Sequence, residues 1–372
     1  MSFHTYSALD AAVHICGRTL LQDPLPLFWT GAGVDFVTDA TALAFDFETD
    51  FSTREQWVRV EVDGVSLLRT PLPKGQSRLW VWREMASAAR HRVRLFKEVQ
   101  PMQRDPQSLL LLRGICCDGK IYPSPTPACK IEFVGDSISA GEGLGGGPGM
   151  RDGVSAVFST QGHYAVETAR RLNADFRILA QSGWGVYVGW DNDPHHTMPA
   201  IYEQVCGAQA ALPQALQQHD FSAWQPDIVV AHLGHNDFFA MSEPAYTAPD
   251  GTVYKLRCGE DGGPCPETRR CVSNAVEGLL YTLRRRNPQA QLVWMYGMLG
   301  HTMLPAIQDG LERYQKATHE RVPLVLVPEY LPEQLGSNNH PGAAAHLAAA
   351  DALTCQLQSY LPKGAPCHGS LA

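Results

Sequence analysis

The chain has 372 residues, enough for two ordinary domains and a sizeable core. At 44% hydrophobic and 18% charged it reads as globular, not disordered. A formal net charge of −8 argues against nucleic acid as the main partner, and the chain has no apolar run long enough to span a membrane.

The first residues show no basic segment followed by an apolar core, so no secretory signal is read there. A cytoplasmic location is expected, with secretion the alternative if the native start was trimmed. Residues 1–112 read as an all-β, sandwich or jelly-roll-like domain. Short apolar or alternating runs recur at 25–29, 34–36, 43–47, 57–62, 79–82 and 91–96. Gly, Pro and Asp punctuate them, and Asp63-Gly64 is a strong hairpin signal. Only a weak helical signal at 84–90 interrupts. The aromatic residues Trp29, Trp57, Trp80 and Trp82 suit a sandwich core as well as a glycan surface, and a packing role is expected, with one loop reaching a cleft.

Residues 113–129 read as a linker, because Gly114, Pro123, Pro125 and Pro127 break regular structure. From 130 to 372 strands and helices alternate, which predicts an α/β domain with a mainly parallel sheet. A buried strand ends in Gly135-Asp136-Ser137 and leads to a helix near 163–172. A strand at 176–180 ends in Ser182-Gly183, and a helix is predicted from 200 to 205, extending towards 218. The strand 227–233 runs into Gly234-His235-Asn236-Asp237. After a long loop come a helix to 286, a strand at 292–296, a helix at 306–318, a strand at 324–327 and a final helix from 342 to 360.

Ten cysteines permit disulfides, but Cys116 and Cys117 are adjacent and the spacings match no small framework. Reduced thiols are expected. Cys258, Cys265 and Cys271 are irregularly spaced with no histidine near them in sequence, and no metal site is assigned.

A serine hydroxyl needs a base within hydrogen-bond reach, and donors where an oxyanion will form. Strands of one parallel sheet end on the same edge, so Ser137, Gly183 and Asn236 can converge there. Glycine at 183 leaves a backbone N–H open to approach, and Asn236 can aim its side-chain amide as a donor. Among fourteen histidines, His340 stands in a loop before the last helix, a position suited to a catalytic base. His163, His232 and His235 are secondary candidates, His346 reads as a packing or surface residue, and His195-His196 as a solvated loop.

Gly-Asp-Ser, Ser-Gly, Gly-x-Asn-Asp and a late His-Pro, in this order, resemble the four blocks of the SGNH (GDSL-type) hydrolases. The run 114–121 and the strand before Ser137 further resemble carbohydrate esterase family 2, which joins a jelly-roll domain to an SGNH domain. That resemblance implies removal of O-acetyl groups from plant polysaccharides such as xylan, mannan and glucomannan, favouring 6-position esters. It implies Ser137 as nucleophile and His340 as base. It also implies an oxyanion hole from the N–H groups of Ser137 and Gly183 and the side chain of Asn236. No metal or organic cofactor, nucleic acid or membrane partner is implied, and the oligomeric state is not legible.

Two positions depart from the family pattern. An aspartate usually precedes the histidine by two or three residues; here Asn338 and Ser337 stand there. The expectation is a Ser–His dyad oriented by a main-chain carbonyl, with an amide oxygen or the acids Glu329 and Glu333 as alternatives. Asn339 replaces a frequent tryptophan, so Trp184, Tyr187, Trp190, Phe238 or Phe239 are candidates for sugar contact. The competing functions are an esterase or thioesterase for lipid or other small acyl groups, and a degenerate carbohydrate-binding protein.

Overall fold

Strand alternation governs the first part of the chain. In a computed structural model, which describes residues 3–361 except 87, 88 and 126, this part folds as two antiparallel sheets. One orders the strands His4–Tyr6, Leu109–Cys117, Leu43–Asp50 and Gly75–Trp82, with Leu25–Pro26 also on Leu109–Cys117. The other orders Ile121–Tyr122, Gly33–Thr38, His91–Lys97, Trp57–Val62 and Val65–Pro71, with His14–Cys16 also on Gly33–Thr38. Alternate residues of both sheets turn inward: Val34, Phe36, Val58 and Val60 from one, Phe45, Phe47 and Leu112 from the other, all fully buried in one shared core. That is a sandwich built on period-two patterning. Asp63 and Gly64 both take positive φ, the geometry a two-residue hairpin needs, and join Trp57–Val62 to Val65–Pro71.

The stretch 113–129, expected as a linker, begins as strand. Leu109–Cys117 pairs with Leu43–Asp50 through a bulge at Leu112/Gly114, and Ile121–Tyr122 pairs with Gly33–Thr38. Gly114 is absorbed by the bulge and does not end the strand. The weak helical signal at 84–90 falls partly outside the described residues, and its described part is not helical.

The second part carries a parallel sheet in the order Ala174–Ala180, Cys129–Gly135, Ile228–His232, Gln291–Met298, Leu324–Glu329. Its central strands are buried on both faces, which is why they read as continuous apolar runs. The helices Tyr164–Arg171 and Ala343–Leu357 pack into the core on one side. Pro266–Arg286 and Leu304–Thr318 pack into the core on the other. Among the described residues no helix is long and apolar enough to cross a membrane.

One predicted helix fails. The region 200–218 holds only a helical turn, Met198–Ile201, and a 3-10 turn, Pro213–Leu216. A side chain at Gly207 would collide with Gln204 and Ile201, so the chain folds back tightly there.

The two parts share core. Leu20, Phe28 and Trp29 pack with one face of the α/β core, and Phe96, Val99 and Met102 with the other. Arg18, fully buried, pairs with Glu132 at 3.1 Å, and the Tyr202 hydroxyl donates to the same carboxylate at 2.5 Å. Glu98 accepts from Arg69 and Ser159, each at 2.8 Å. The β domain is thereby fixed beside the carboxyl edge of the parallel sheet.

Candidate active site

The strand Cys129–Gly135 delivers Ser137 to the sheet's carboxyl edge, and the loop after the last strand delivers His340. Ser137 Oγ lies 2.8 Å from His340 Nε2, and His340 Nδ1 lies 2.7 Å from the carbonyl oxygen of Asn338. A carbonyl can only accept, so Nδ1 carries the proton and Nε2 is left to accept the serine's.

Local sequence explains how a carbonyl reaches that ring. Asn338 and Asn339 are both left-handed, at φ +50° and +56°, a conformation asparagine tolerates better than most side chains. The turn is pinned from outside. Ser337 N–H donates to Gly143 O at 3.0 Å, Asn338 N–H to Met150 O at 2.6 Å, and the Ser337 hydroxyl to Gly145 O. Gly143, at φ +95°, has no room for a side chain: a Cβ would stand 2.5 Å from that of His340. The glycine-rich segment is therefore the seat of the histidine loop. Glu329 and Glu333 are both exposed, while the carboxylate paired with the ring is Glu142, whose Oε2 lies 3.7 Å from Nε2.

Gly183 and Asn236 line the same cavity as Ser137 and His340, a volume of about 650 Å³. Gly183 has φ +80° and sits under the Trp190 ring, where a Cβ would come within 2.8 Å. Asn236 lies in the first turn of the helix His235–Ala240, and its Nδ2 donates to Trp184 O at 2.9 Å. That nitrogen carries a second proton for the cavity.

The two aspartates of these motifs shape turns. Asp237 accepts from the N–H groups of Val186, Tyr187 and Val188 at 2.8–3.1 Å, locking the loop after Gly183. Burial pushes its carboxyl up against those three bonds. Asp136 accepts from Ile138 N–H and pairs with His235 at 3.2 Å. Burial opposes its charge, but the hydrogen bond to His235 holds its carboxyl below the ordinary range.

The secondary histidines do other work. Burial drives His163 down to about 4 and His232 to about 3, so both are neutral, and His346 is held well below its usual value for the same reason. His163 caps the helix Tyr164–Arg171, accepting from Ala165 N–H at 3.1 Å. His195 is exposed, and each of His195 and His196 pairs with a nearby aspartate.

The aromatic candidates separate. Trp184, Trp190 and Phe239 line the cavity, with Trp190 38% and Phe239 40% exposed. Tyr187 and Phe238 pack against the core instead. Successive helix residues point about 100° apart, so Phe239 turns to the cavity while Phe238, its ring 5.2 Å away, turns towards the core. The β domain supplies the opposite wall with Arg54, Gln100, Met102, Gln103 and Arg104. Sequence reasoning missed these residues and Glu142. Only Glu142 carried a signal, as the acid inside a run of glycines five residues after the serine.

Cys258, Cys265 and Cys271 are free thiols, the first exposed. Among the described residues, a group with mutually close metal-ligating atoms is His14, Cys16 and Asp175. It lies at the domain junction, with Trp224 donating to Asp175 at 2.7 Å, and lines no part of the cleft.

The sequence model of the GDSL-like Lipase/Acylhydrolase family matches residues 133–348. An acetylxylan esterase/glucomannan deacetylase of Cellvibrio japonicus is 23% identical over 364 residues, covering 97% of this chain and 92% of that protein. The solved structure of the acetyl xylan esterase Est2A from Butyrivibrio proteoclasticus matches at 37% identity and TM-score 0.92, covering 97% of this chain and 98% of that one. A family two carbohydrate esterase from Clostridium thermocellum, solved with cellohexaose, shares the fold at 24% identity and TM-score 0.77, covering 94% and 99%.

Proposed function

This chain belongs to the GDSL-like lipase/acylhydrolase family, and we propose that it is a serine esterase removing O-acetyl groups from plant polysaccharides or their oligosaccharides. The observation that carries this reading is the 2.8 Å approach of Ser137 Oγ to an imidazole nitrogen whose opposite N–H is held by a carbonyl. The likeness to Est2A over nearly the whole chain supports an acetyl ester of a carbohydrate as substrate.

In the reaction, Ser137 Oγ attacks the acetyl carbonyl while His340 Nε2 takes its proton. The N–H groups of Ser137 and Gly183 and the Asn236 amide receive the oxyanion. Collapse expels the sugar alkoxide, which takes the proton from His340 and leaves an acetyl-enzyme. Water, deprotonated by His340, attacks that ester; collapse expels Ser137 Oγ, which takes the proton back from His340, and acetic acid leaves. Trp190 and Phe239 offer exposed aromatic faces beside the serine, suited to the apolar faces of a pyranose. Xylan, mannan and glucomannan are the polymers this reading favours, with primary 6-position esters preferred on the hexose units of the latter two. Nine free thiols among the described residues fit a reducing compartment.

Acetate release from acetylated xylan and glucomannan oligosaccharides, followed by position with NMR, tests the assignment. On glucomannan, loss of 6-position acetyl first is the expected course; the pentose units of xylan have no 6-position, and there release from the secondary positions is followed. Intact acetyl groups on both, with hydrolysis of a long-chain acyl ester instead, would move the enzyme to a lipid substrate.

A further inference from the structure

Of the buried carboxylates left unused so far, Glu142 stands nearest the reacting groups. It is 6% exposed and lines the cavity with Ser137 and His340. Its Oε2 lies 3.7 Å from His340 Nε2 and accepts from the Ser182 hydroxyl at 2.5 Å. Its Oε1 accepts from the side-chain amide of Asn338 at 2.5 Å. Asn338 is the residue whose carbonyl holds the opposite side of the imidazole. Among the described residues, no Lys or Arg pairs with this carboxylate; its ion-pair partner is His340. A buried anion without a cation is costly, and the cation that relieves it forms when His340 takes the serine's proton.

We propose that Glu142 is the acid of this relay, a positioning residue that replaces the aspartate missing before His340. The proposal rests on reading Ser137 and His340 as the acyl-transfer pair. Glu142 acts by two routes. Its charge favours the imidazolium from the Nε2 side, where the usual acid works from Nδ1. Its hydrogen bond to the Asn338 amide fixes a left-handed residue whose carbonyl sets the tautomer. The proton itself passes from Ser137 Oγ to His340 Nε2 and on to the leaving sugar oxygen. No proton passes directly from His340 to Glu142, because 3.7 Å is beyond a hydrogen bond. The other titratable groups around His340 are His235, paired with Asp136, and the buried His346 on the following helix. Arg54, Arg104, Asp105, His196 and Glu243 line the outer cavity.

The test is kcat and KM of the full-length protein on 4-nitrophenyl acetate from about pH 5 to about pH 9. In Glu142→Gln, kcat falls on the order of 10- to 100-fold with KM little changed. The acidic limb of kcat/KM moves down by about one pH unit, because an anion near the imidazole has gone. Glu142→Asp keeps the charge and leaves the limb in place. Asn338→Gly removes the amide without straining the backbone, so kcat falls about several-fold with the limb unmoved. Wild-type kcat in Glu142→Gln overturns the proposal, and so does a fall in kcat with an unmoved limb, which lost packing alone would give. Should Glu142→Gln fail to fold, wild-type kcat in Asn338→Gly overturns it instead. Ser137→Ala in the same assay separates the two levels. If it stays active, the acyl-transfer reading itself fails; if it is dead while Glu142→Gln is unchanged, only the role of Glu142 fails.

Discussion

His340 Nδ1 donates to the carbonyl oxygen of Asn338, two residues earlier in the same loop, at 2.7 Å. That contact does with main chain what a neighbouring acid does in related sites: it fixes the tautomer and aims Nε2 at Ser137. A carbonyl brings orientation but no full charge, so in the proposed reaction the oxyanion donors carry correspondingly more weight.

Asn236→Ala should therefore lower kcat on 4-nitrophenyl acetate by about 10²–10³-fold, with KM little changed. The side chain is held by Trp184 O, so its second proton is preorganised. A change confined to KM would show that Asn236 binds the ground state and not the transition state.

Gly183→Ala should cost both activity and stability. Alanine at φ +80° is strained by about 1 kcal/mol or more, and its Cβ would meet the Trp190 ring at 2.8 Å. Trp190→Ala combined with Gly183→Ala should recover part of the lost melting temperature by removing the clash. No recovery would mean that the strain lies in the backbone alone.

Acid should destabilise the fold before carboxylates begin to protonate. His163 and His232 are neutral in the fold, at about 4 and about 3, and ordinary near 6.5 when unfolded. Between those values the unfolded chain binds more protons, so stability is full above about pH 6.5 and is lost as pH falls towards the folded values. His14 has the opposite sign. Its hydrogen bond to Asp175 raises it to about 10, so its contribution is full below about pH 6.5 and is lost as pH rises through about 10. A melting temperature that starts to fall near pH 6.5 on acidification is expected. A flat profile down to the carboxylate range would contradict the neutral histidine cluster.

Glu132→Gln should destabilise the whole molecule by about 3–5 kcal/mol, because it leaves the fully buried Arg18 guanidinium without its anion. Arg18 comes from the β domain and Glu132 from the parallel-sheet strand Cys129–Gly135, so both domains should lose stability together. Thermal unfolding in one transition at lower temperature is the expected record; an unchanged melting temperature would mean that Arg18 needs no carboxylate.

What the sequence disclosed follows from the physics of each feature. That Ser137, Gly183 and Asn236 meet in one cavity was legible because parallel strands end on one edge. Trp57–Val62 and its Asp63-Gly64 turn were legible because pattern and turn chemistry agree. The strand Leu109–Cys117 was not, since a bulge at Gly114 looks like a break in sequence. Phe238 and Phe239 could not be told apart without the phase of their helix. The cleft wall made by Gln100 and Arg104 was invisible because it depends on how two domains dock. Glu142 was hidden because its partners, Asn338 and His340, lie almost two hundred residues away in the chain.

The most direct measurement is acetate released from acetylated xylan and glucomannan oligosaccharides by the wild-type protein and by Ser137→Ala at equal concentration. The expected result is release by the wild type and none above background from a folded Ser137→Ala. Acetate release by the variant at a rate near that of the wild type would contradict the assignment of Ser137 as the nucleophile.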